Sequence, residues 1–385
     1  MTVRQNQDQS ASAAAASAIG QARRIVIKIG SSLLIDDSEL GPRHDWLRGV
    51  GEDIAALHAQ GKKIVVVSSG AVALGRQHLK LKRSARLDYK QAAAAAGQAL
   101  LMQAWERALA PHHIPTAQLL LTIDDTEQRH RSLNARATIE VLLSQGGLPI
   151  INENDSVATE ELRFGDNDRL SARVAQLVRS DVLILLSDVD GLYTADPRRD
   201  ATARHVGIVA TLTDEIKGYA ASASATGVGS GGMRTKIDAA RIASGSGCTT
   251  IIASGRSDRP LARLLDGGLA TVIAASGSPA NAYKQWIAGT LAPAGSVTID
   301  AGAVQALGAG KSLLPSGVTA VEGQFDRGAC LRVLDDRGIE VARGIAAYSA
   351  AETRAIRGGG SARIAERLGY SGPDELIHRD DLVML

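Results

Sequence analysis

Six short apolar runs, most of them rich in β-branched residues, punctuate the chain: "RRIVIKIG" from Arg23, then "KKIVVVSSG", "TAQLLL", "GLPIIN", "DVLILLS" and "TTIIASG". Between most of them lie Ala- and Leu-rich stretches with helical spacing, such as "DWLRGVGEDIAALHAQG" and "QAAAAAGQALLMQAWERALA". All-apolar strands alternating with helices require a mainly parallel sheet covered on both faces. In such a sheet ligands bind outside the carboxyl ends of the strands. The residues that follow each apolar run are therefore the ones to read for chemistry.

Near "LAPAGSV", Leu291 to Val297, the rhythm changes to shorter runs, "SVTID", "GVTAVEG", "ACLRVLDD" and "IEVARGIAAYS". "DDRG", Asp335 to Gly338, reads as a hairpin turn, and Pro293 with Gly295 marks a linker. A length of 385 residues exceeds what one core usually organises, so a second, small, mostly β domain is expected. The start, "MTVRQNQDQSASAAAASAIGQ", has no Leu-rich segment behind a basic start and reads as a disordered tail rather than a signal peptide. The expected divisions are a tail at 1–22, an α/β domain at 23–290, a β domain at 293–371 and a C-terminal tail at 372–385.

Composition narrows the function classes. A net charge of +2 argues against a nucleic-acid field, and 3% aromatics argue against stacking platforms for single strands. No apolar run approaches the ~18 residues that span a bilayer, so no membrane association is expected. Cys248 and Cys330 lack metal-ligand spacing and suit a reducing cytoplasm.

Each strand end carries polar or charged residues. Lys28 interrupts the apolar "VIKI" and is followed by Gly30, Ser31 and Ser32; a lysine there needs a counter-charge or a polar cavity. Ser68, Ser69 and Gly70 lead into a helix, a position that suits an anion or a plain cap. "INENDSVATEELRFGDND", Ile151 to Asp168, concentrates carboxylates and amides that a metal cage, a solvated loop or a polar binding site would each use. The Asx spacing rules out an EF-hand. Asp166, Asn167 and Asp168 crowd one helix start, where a single cap would suffice. Ser187 and Asp188 end a further strand. "GVGSGGMRTKIDAARIA" runs a glycine-rich loop into a helix with Lys236 in its first turns, a general phosphate device.

Two motifs mislead. "GVGSGG" formally matches the dinucleotide fingerprint but follows no strand. "GAGKS", Gly308 to Ser312, ends like a P-loop, yet its first glycine would fall at Gln305. Two lysines, three small-residue loops and a carboxylate cluster at one sheet edge point instead to phosphoryl transfer. No Ser-His-Asp order or HExxH pattern suggests nucleophilic or zinc catalysis.

"VIKIGSSLL", "VVVSSGAVALGR", "PIINENDSVAT", "FGDNDRLSA", "LLSDVDGLYTADPR" and "GSGGMRTKIDAA" together resemble the amino-acid kinase superfamily, and within it the glutamate 5-kinase family, from about Arg23 onward. The part from Pro293 to Ser371 resembles a PUA domain. The resemblance implies an αβα sandwich around a largely parallel sheet, with a small mostly-β PUA-like domain. It implies ATP-dependent phosphorylation of the L-glutamate side-chain carboxylate to L-glutamyl 5-phosphate, the first step to proline. By the same resemblance, Lys28 and Lys236 hold the ATP phosphates and Asp168 orients both lysines. Ser69, Asp155 and Asn167 bind glutamate. Ser187 and Asp188, with the loop Ser230, Gly231, Gly232, Met233, Arg234, Thr235 and Lys236, line the nucleotide site. Mg²⁺ is carried mainly by the ATP phosphates, with no protein ligand assigned. A homo-oligomer, feedback inhibition by L-proline, a cytoplasmic location and passage of product to glutamyl phosphate reductase are further expectations. Kinases for acetylglutamate, aspartate or UMP are the rivals within the superfamily. RNA binding by the PUA-like domain is the rival outside it, although that domain mixes Lys311, Arg327, Arg332, Arg337 and Arg343 with five acidic residues and has no clear basic stripe.

Overall fold

The computed structural model describes residues 2–35, 41–82, 84, 86–157, 166–223, 232–289 and 292–385. The chain divides into two compact units, residues 1–279 and 280–385.

The first unit runs α1 (Thr2–Gln21), β1 (Arg24–Ile29), α2 (Ser31–Leu34), α3 (His44–Ala59), β2 (Lys63–Ser68), α4 (Ala71–His78), α5 (Leu87–Leu109) and β3 (Thr116–Leu121). It continues through α6 (Ile123–Glu127), α7 (Arg129–Ser144), β4 (Leu148–Glu153), α8 (Asp166–Leu177) and β5 (Val182–Ser187). Two short strands, β6 (Leu192–Tyr193) and β7 (His205–Val206), pair with each other, and β8 (Ile208–Val209), α9 (Asp214–Ala223), α10 (Met233–Gly245), β9 (Thr249–Ser254), α11 (Pro260–Leu265) and β10 (Ala270–Ile273) complete it. The main sheet has the order β3-β4-β2-β1-β5-β9-β10-β8. Its pairs are parallel except β9 with β10. All six apolar runs are strands of this sheet.

The two-residue period of a strand divides the core. Ile25, Ile27 and Ile29 face a layer formed by α1, α3, α5 and α11. Val26, Val65, Leu183 and Ile252 face the opposite layer of α7, α8 and α10. Lys28 therefore shares the Val26 face, the one that α8 and α10 cover. Helices α4 and α5 cross at backbone contact. A Cβ on Gly75 would collide with the Ala93 carbonyl, and one on Gly97 with the Ala71 carbonyl.

The second unit begins within α12 (Pro279–Gly289) and holds β11 (Gly295–Ile299), α13 (Ala301–Gly308), β12 (Val318–Gly323), β13 (Cys330–Leu334), β14 (Glu340–Ile345), α14 (Ala350–Ile356), α15 (Ile364–Leu368) and β15 (Leu382–Met384). Its sheet has the order β12-β11-β13-β14-β15 around a core that includes Leu331, Val333, Tyr348 and Ile377. "DDRG" joins the antiparallel β13 and β14: Asp335 Oδ1 accepts from Ile339 N at 2.8 Å and Gly338 takes φ 81°. "GAGKS" begins at the end of α13 and opens no helix.

The segments expected as tails are structured. Residues 2–21 are helix α1, which buries Ala11, Ala15 and Ile19 against the first core. Alanines spaced four apart make a flat stripe that packs closely without large side chains. Residues 372–385 carry the buried Leu376 and Ile377 and strand β15, which pairs with β14. Among the described residues no helix is long and apolar enough to cross a membrane.

Candidate active site

A cleft opens at the carboxyl ends of β1, β2, β4 and β5, lined by Lys28, Ser69, Asn152, Asp155, Asn167, Ser187, Asp188 and Lys236 among others. At its floor one carboxylate holds two ammonium groups. Lys28 Nζ lies 2.6 Å from Asp168 Oδ1, and Lys236 Nζ lies 3.3 Å from Asp168 Oδ2. Thr235 Oγ1 also donates to Asp168 Oδ2, at 2.7 Å. The side chain of Asp168 is 0% exposed, that of Lys28 8% and that of Lys236 4%.

Local structure explains the convergence. Lys28 ends the Val26 face of β1. Asp168 is the third residue of α8, and Lys236 lies in the first turn of α10. Burial drives the Asp168 carboxyl towards neutrality, but the Lys28 and Lys236 charges and hydrogen bonds from Lys28 and Thr235 outweigh it and hold its pKa at about 2. Burial lowers the pKa of Lys236, and Asp168 opposes that shift. The two ammonium groups outnumber the one carboxylate between them, so these three side chains together are positive, which suits a polyanionic ligand.

On one side of this floor an amide relay fixes hydrogen-bond polarity. Asn152 Nδ2 donates to Gln98 Oε1 at 2.8 Å, Asn167 Nδ2 donates to Asn152 Oδ1 at 3.1 Å, and Asn167 Nδ2 also donates to Ser69 Oγ at 2.7 Å. Asn167 Oδ1 is left buried without a partner. It is an open acceptor, and Ser69, which accepts from Asn167, keeps its O–H to donate. Gly70 makes the turn from β2 into α4 with φ 111°, a left-handed conformation that glycine alone adopts easily. Asp155 lies in the turn after β4 and lines the same cleft.

On the other side Ser187 Oγ donates to Asp188 Oδ1 at 3.1 Å, and Arg256 Nε donates to the Asp188 carbonyl at 2.9 Å. Gly232 caps α10, Met233 is buried in the second core while edging the cleft, and Arg234 is exposed at the rim. Ser230 and Gly231 lie outside the described residues, as do Glu160 and Glu161 and most of "GVGSGG". Among the described residues no group of three His, Cys, Asp or Glu side chains could hold a metal ion.

Three contributors went unread in the sequence. Asn152 stood inside the acidic stretch but faces the relay rather than solvent. Gln98 was the one amide within an alanine run and next to the tight Gly97, which was its signal. Arg256 comes two residues after the end of β9, past Gly255, at the strand end where sheet geometry directs attention.

The pattern of the Amino acid kinase family matches residues 23–254, and that of the PUA domain matches residues 295–368. A protein named glutamate 5-kinase from Caulobacter vibrioides is 57% identical over 366 residues, covering 94% of this chain and 97% of that one. A glutamate 5-kinase from Paramagnetospirillum magneticum is 53% identical over 368 residues, covering 96% of this chain and 99% of its own. Among solved structures, UMP kinase from Ureaplasma parvum aligns with a TM-score of 0.46 at 16% identity, over 66% of this chain and 98% of its own.

Proposed function

The chain belongs to the glutamate 5-kinase family of amino acid kinases, and from that premise we propose that Lys28, Asp168 and Lys236 form its phosphoryl-transfer centre. ATP and L-glutamate are the co-substrates, and L-glutamyl 5-phosphate is the product, destined for proline. The observation that supports the assignment best is Asp168 holding both ammonium groups at the cleft floor.

The side-chain carboxylate of glutamate is ionised at neutral pH, its ordinary pKa being about 4.3. It is already a nucleophile, so no general base is required. One carboxylate oxygen forms a bond to the γ-phosphorus while the bond from that phosphorus to the β,γ-bridging oxygen breaks, and ADP leaves with the electron pair. The barrier comes from bringing two anions together and from charge moving onto the leaving oxygen. Fixed cations and in-line positioning address both. Lys28 and Lys236 serve as those cations, and Asp168 holds them where they point without neutralising both.

Ser69, Asp155 and Asn167 are assigned to the amino acid. The open Asn167 acceptor and the Asp155 carboxylate suit an ammonium group, and the Ser69 O–H suits a carboxylate. Ser187, Asp188 and the Gly232–Lys236 segment are assigned to the nucleotide side, with Ser230 and Gly231 continuing that assignment from the sequence. Mg²⁺ fits as an ion carried on the phosphates, because the Asp168 oxygens are already taken by Lys28, Lys236 and Thr235. Bound there, it supplies additional charge neutralisation.

A coupled assay of Mg²⁺-dependent ADP release from ATP tests the reading with L-glutamate, N-acetylglutamate, aspartate and UMP as acceptors, with hydroxamate trapping of the acyl phosphate for the three carboxylates, and again with added proline. Turnover with glutamate well above the other acceptors is expected. Preference for an acceptor without a free ammonium group would overturn the assignment of Asp155 and Asn167.

A further inference from the structure

Helix α1 precedes residue 23, where the match to the kinase family begins. It packs along β10 and α11. Within its sequence Asp8 is the single acidic residue. Asp8 Oδ1 meets His205 Nδ1 at 2.9 Å, and the His205 side chain is 6% exposed. A further tie from α1, Ser12 Oγ to the Gly268 carbonyl at 3.1 Å, holds the helix in this register.

His205 belongs to β7 and pairs directly with Tyr193 of β6, the rings meeting edge to face with centroids 5.2 Å apart. Its Nε2 and Thr271 Oγ1 close over Gly191, where an added Cβ would collide with the imidazole and lie 2.7 Å from Thr271 Oγ1. Thr271 Oγ1 accepts from Leu192 N at 2.8 Å and donates to the Val206 carbonyl at 2.7 Å. The segment Gly191–Tyr193 is thus clamped between an imidazole and a hydroxyl. It is continuous with Asp188, and both Gly191 and Tyr193 line the cleft.

We propose that Asp8 and His205 are positioning residues for the nucleotide half of the active site: α1 fixes the imidazole, and the imidazole fixes the strap that runs on from Asp188. Neither residue lines the cleft itself. The inference rests on the assignment of Ser187 and Asp188 to the nucleotide side.

The test is steady-state kinetics on the full chain for Asp8→Ala, Asp8→Asn and Ile19→Ala, with the thermal midpoint of each. Asp8→Ala raises the KM for ATP about fivefold, while the KM for glutamate and kcat at saturation stay within about twofold. Asp8→Asn, which keeps a hydrogen-bonding side chain of the same size, returns the ATP KM to near the parent value. Ile19→Ala loosens α1 as a whole and lowers the midpoint, and because α1 fixes the imidazole it raises the ATP KM in the same direction as Asp8→Ala, with the glutamate KM unchanged. The proposal is overturned if Asp8→Ala leaves the ATP KM unchanged in an active enzyme, or raises both KM values alike. A parent protein that does not phosphorylate glutamate at all would instead overturn the functional assignment beneath it.

Discussion

Lys28 and Asp168 meet at 2.6 Å in an ion pair whose carboxylate is wholly buried. The same carboxylate holds Lys236, so its removal takes a buried counter-charge from two ammonium groups at once. A buried charge stripped of its partner is far more costly than the pair is favourable.

Asp168→Asn should therefore destabilise the fold by on the order of 3–5 kcal/mol and abolish most activity. Adding Lys28→Met to it should recover part of the stability and none of the activity, read by chemical denaturation and by the hydroxamate assay. The pH dependence has a definite sign. The Asp168 pKa falls from 3.8 to about 2 on folding. Its contribution is fully present above 3.8 and is lost as the pH drops from there through about 2. The stability gap between parent and variant should close over that acid window and stay constant above it.

The alkaline side belongs to Lys236. Burial lowers its pKa from the ordinary 10.5, so its cation is lost before that of an exposed lysine as pH rises. A profile of kcat/KM for ATP, which reports the free enzyme, should show an alkaline limb below 10.5 that an exposed-lysine variant such as Lys217→Ala leaves unmoved. A flat kcat/KM for ATP up to that pH would argue against a role for the Lys236 charge.

Gln98→Leu removes the acceptor for Asn152 Nδ2 while preserving shape. A stranded buried donor costs about 1–3 kcal/mol, and Asn152 can then reorient and release Asn167. The KM for glutamate should rise by about tenfold with the KM for ATP little changed. Equal effects on both substrates would mean that Gln98 supports the fold rather than the amino-acid side.

Gly97→Ala and Gly75→Ala each force apart the α4–α5 crossing. Each should cost about 1–3 kcal/mol as overpacking. Because both act on the same crossing, the double variant should cost less than the sum of the two, measured by urea unfolding.

The sheet was legible because each strand is an apolar run bounded by polar residues and alternates with helices. Lys28 was legible as a charge inside such a run, and Asp168 as a surplus acid at a helix start. Helix α1 was not, because among the described residues its buried face is Ala11, Ser12, Ala15 and a single large residue, Ile19, within an Ala- and Ser-rich composition. Strand β15 has no pattern of its own and exists only by pairing with β14. The two-residue strands β6 and β7 likewise follow from the contact of Tyr193 with His205 rather than from local propensity. The amide relay through Gln98 joins residues 54 positions apart in sequence, a juxtaposition that only the fold creates.

The central claim is that Lys236 stabilises the transferring phosphoryl group. Steady-state kinetics of Lys236→Ala, with its folded state verified by thermal unfolding, tests it most directly. The account predicts a kcat reduced by about 10²-fold or more and a glutamate KM within about threefold of the parent, the pattern of an interaction made in the transition state. A near-normal kcat, or a loss confined to the glutamate KM, would contradict it.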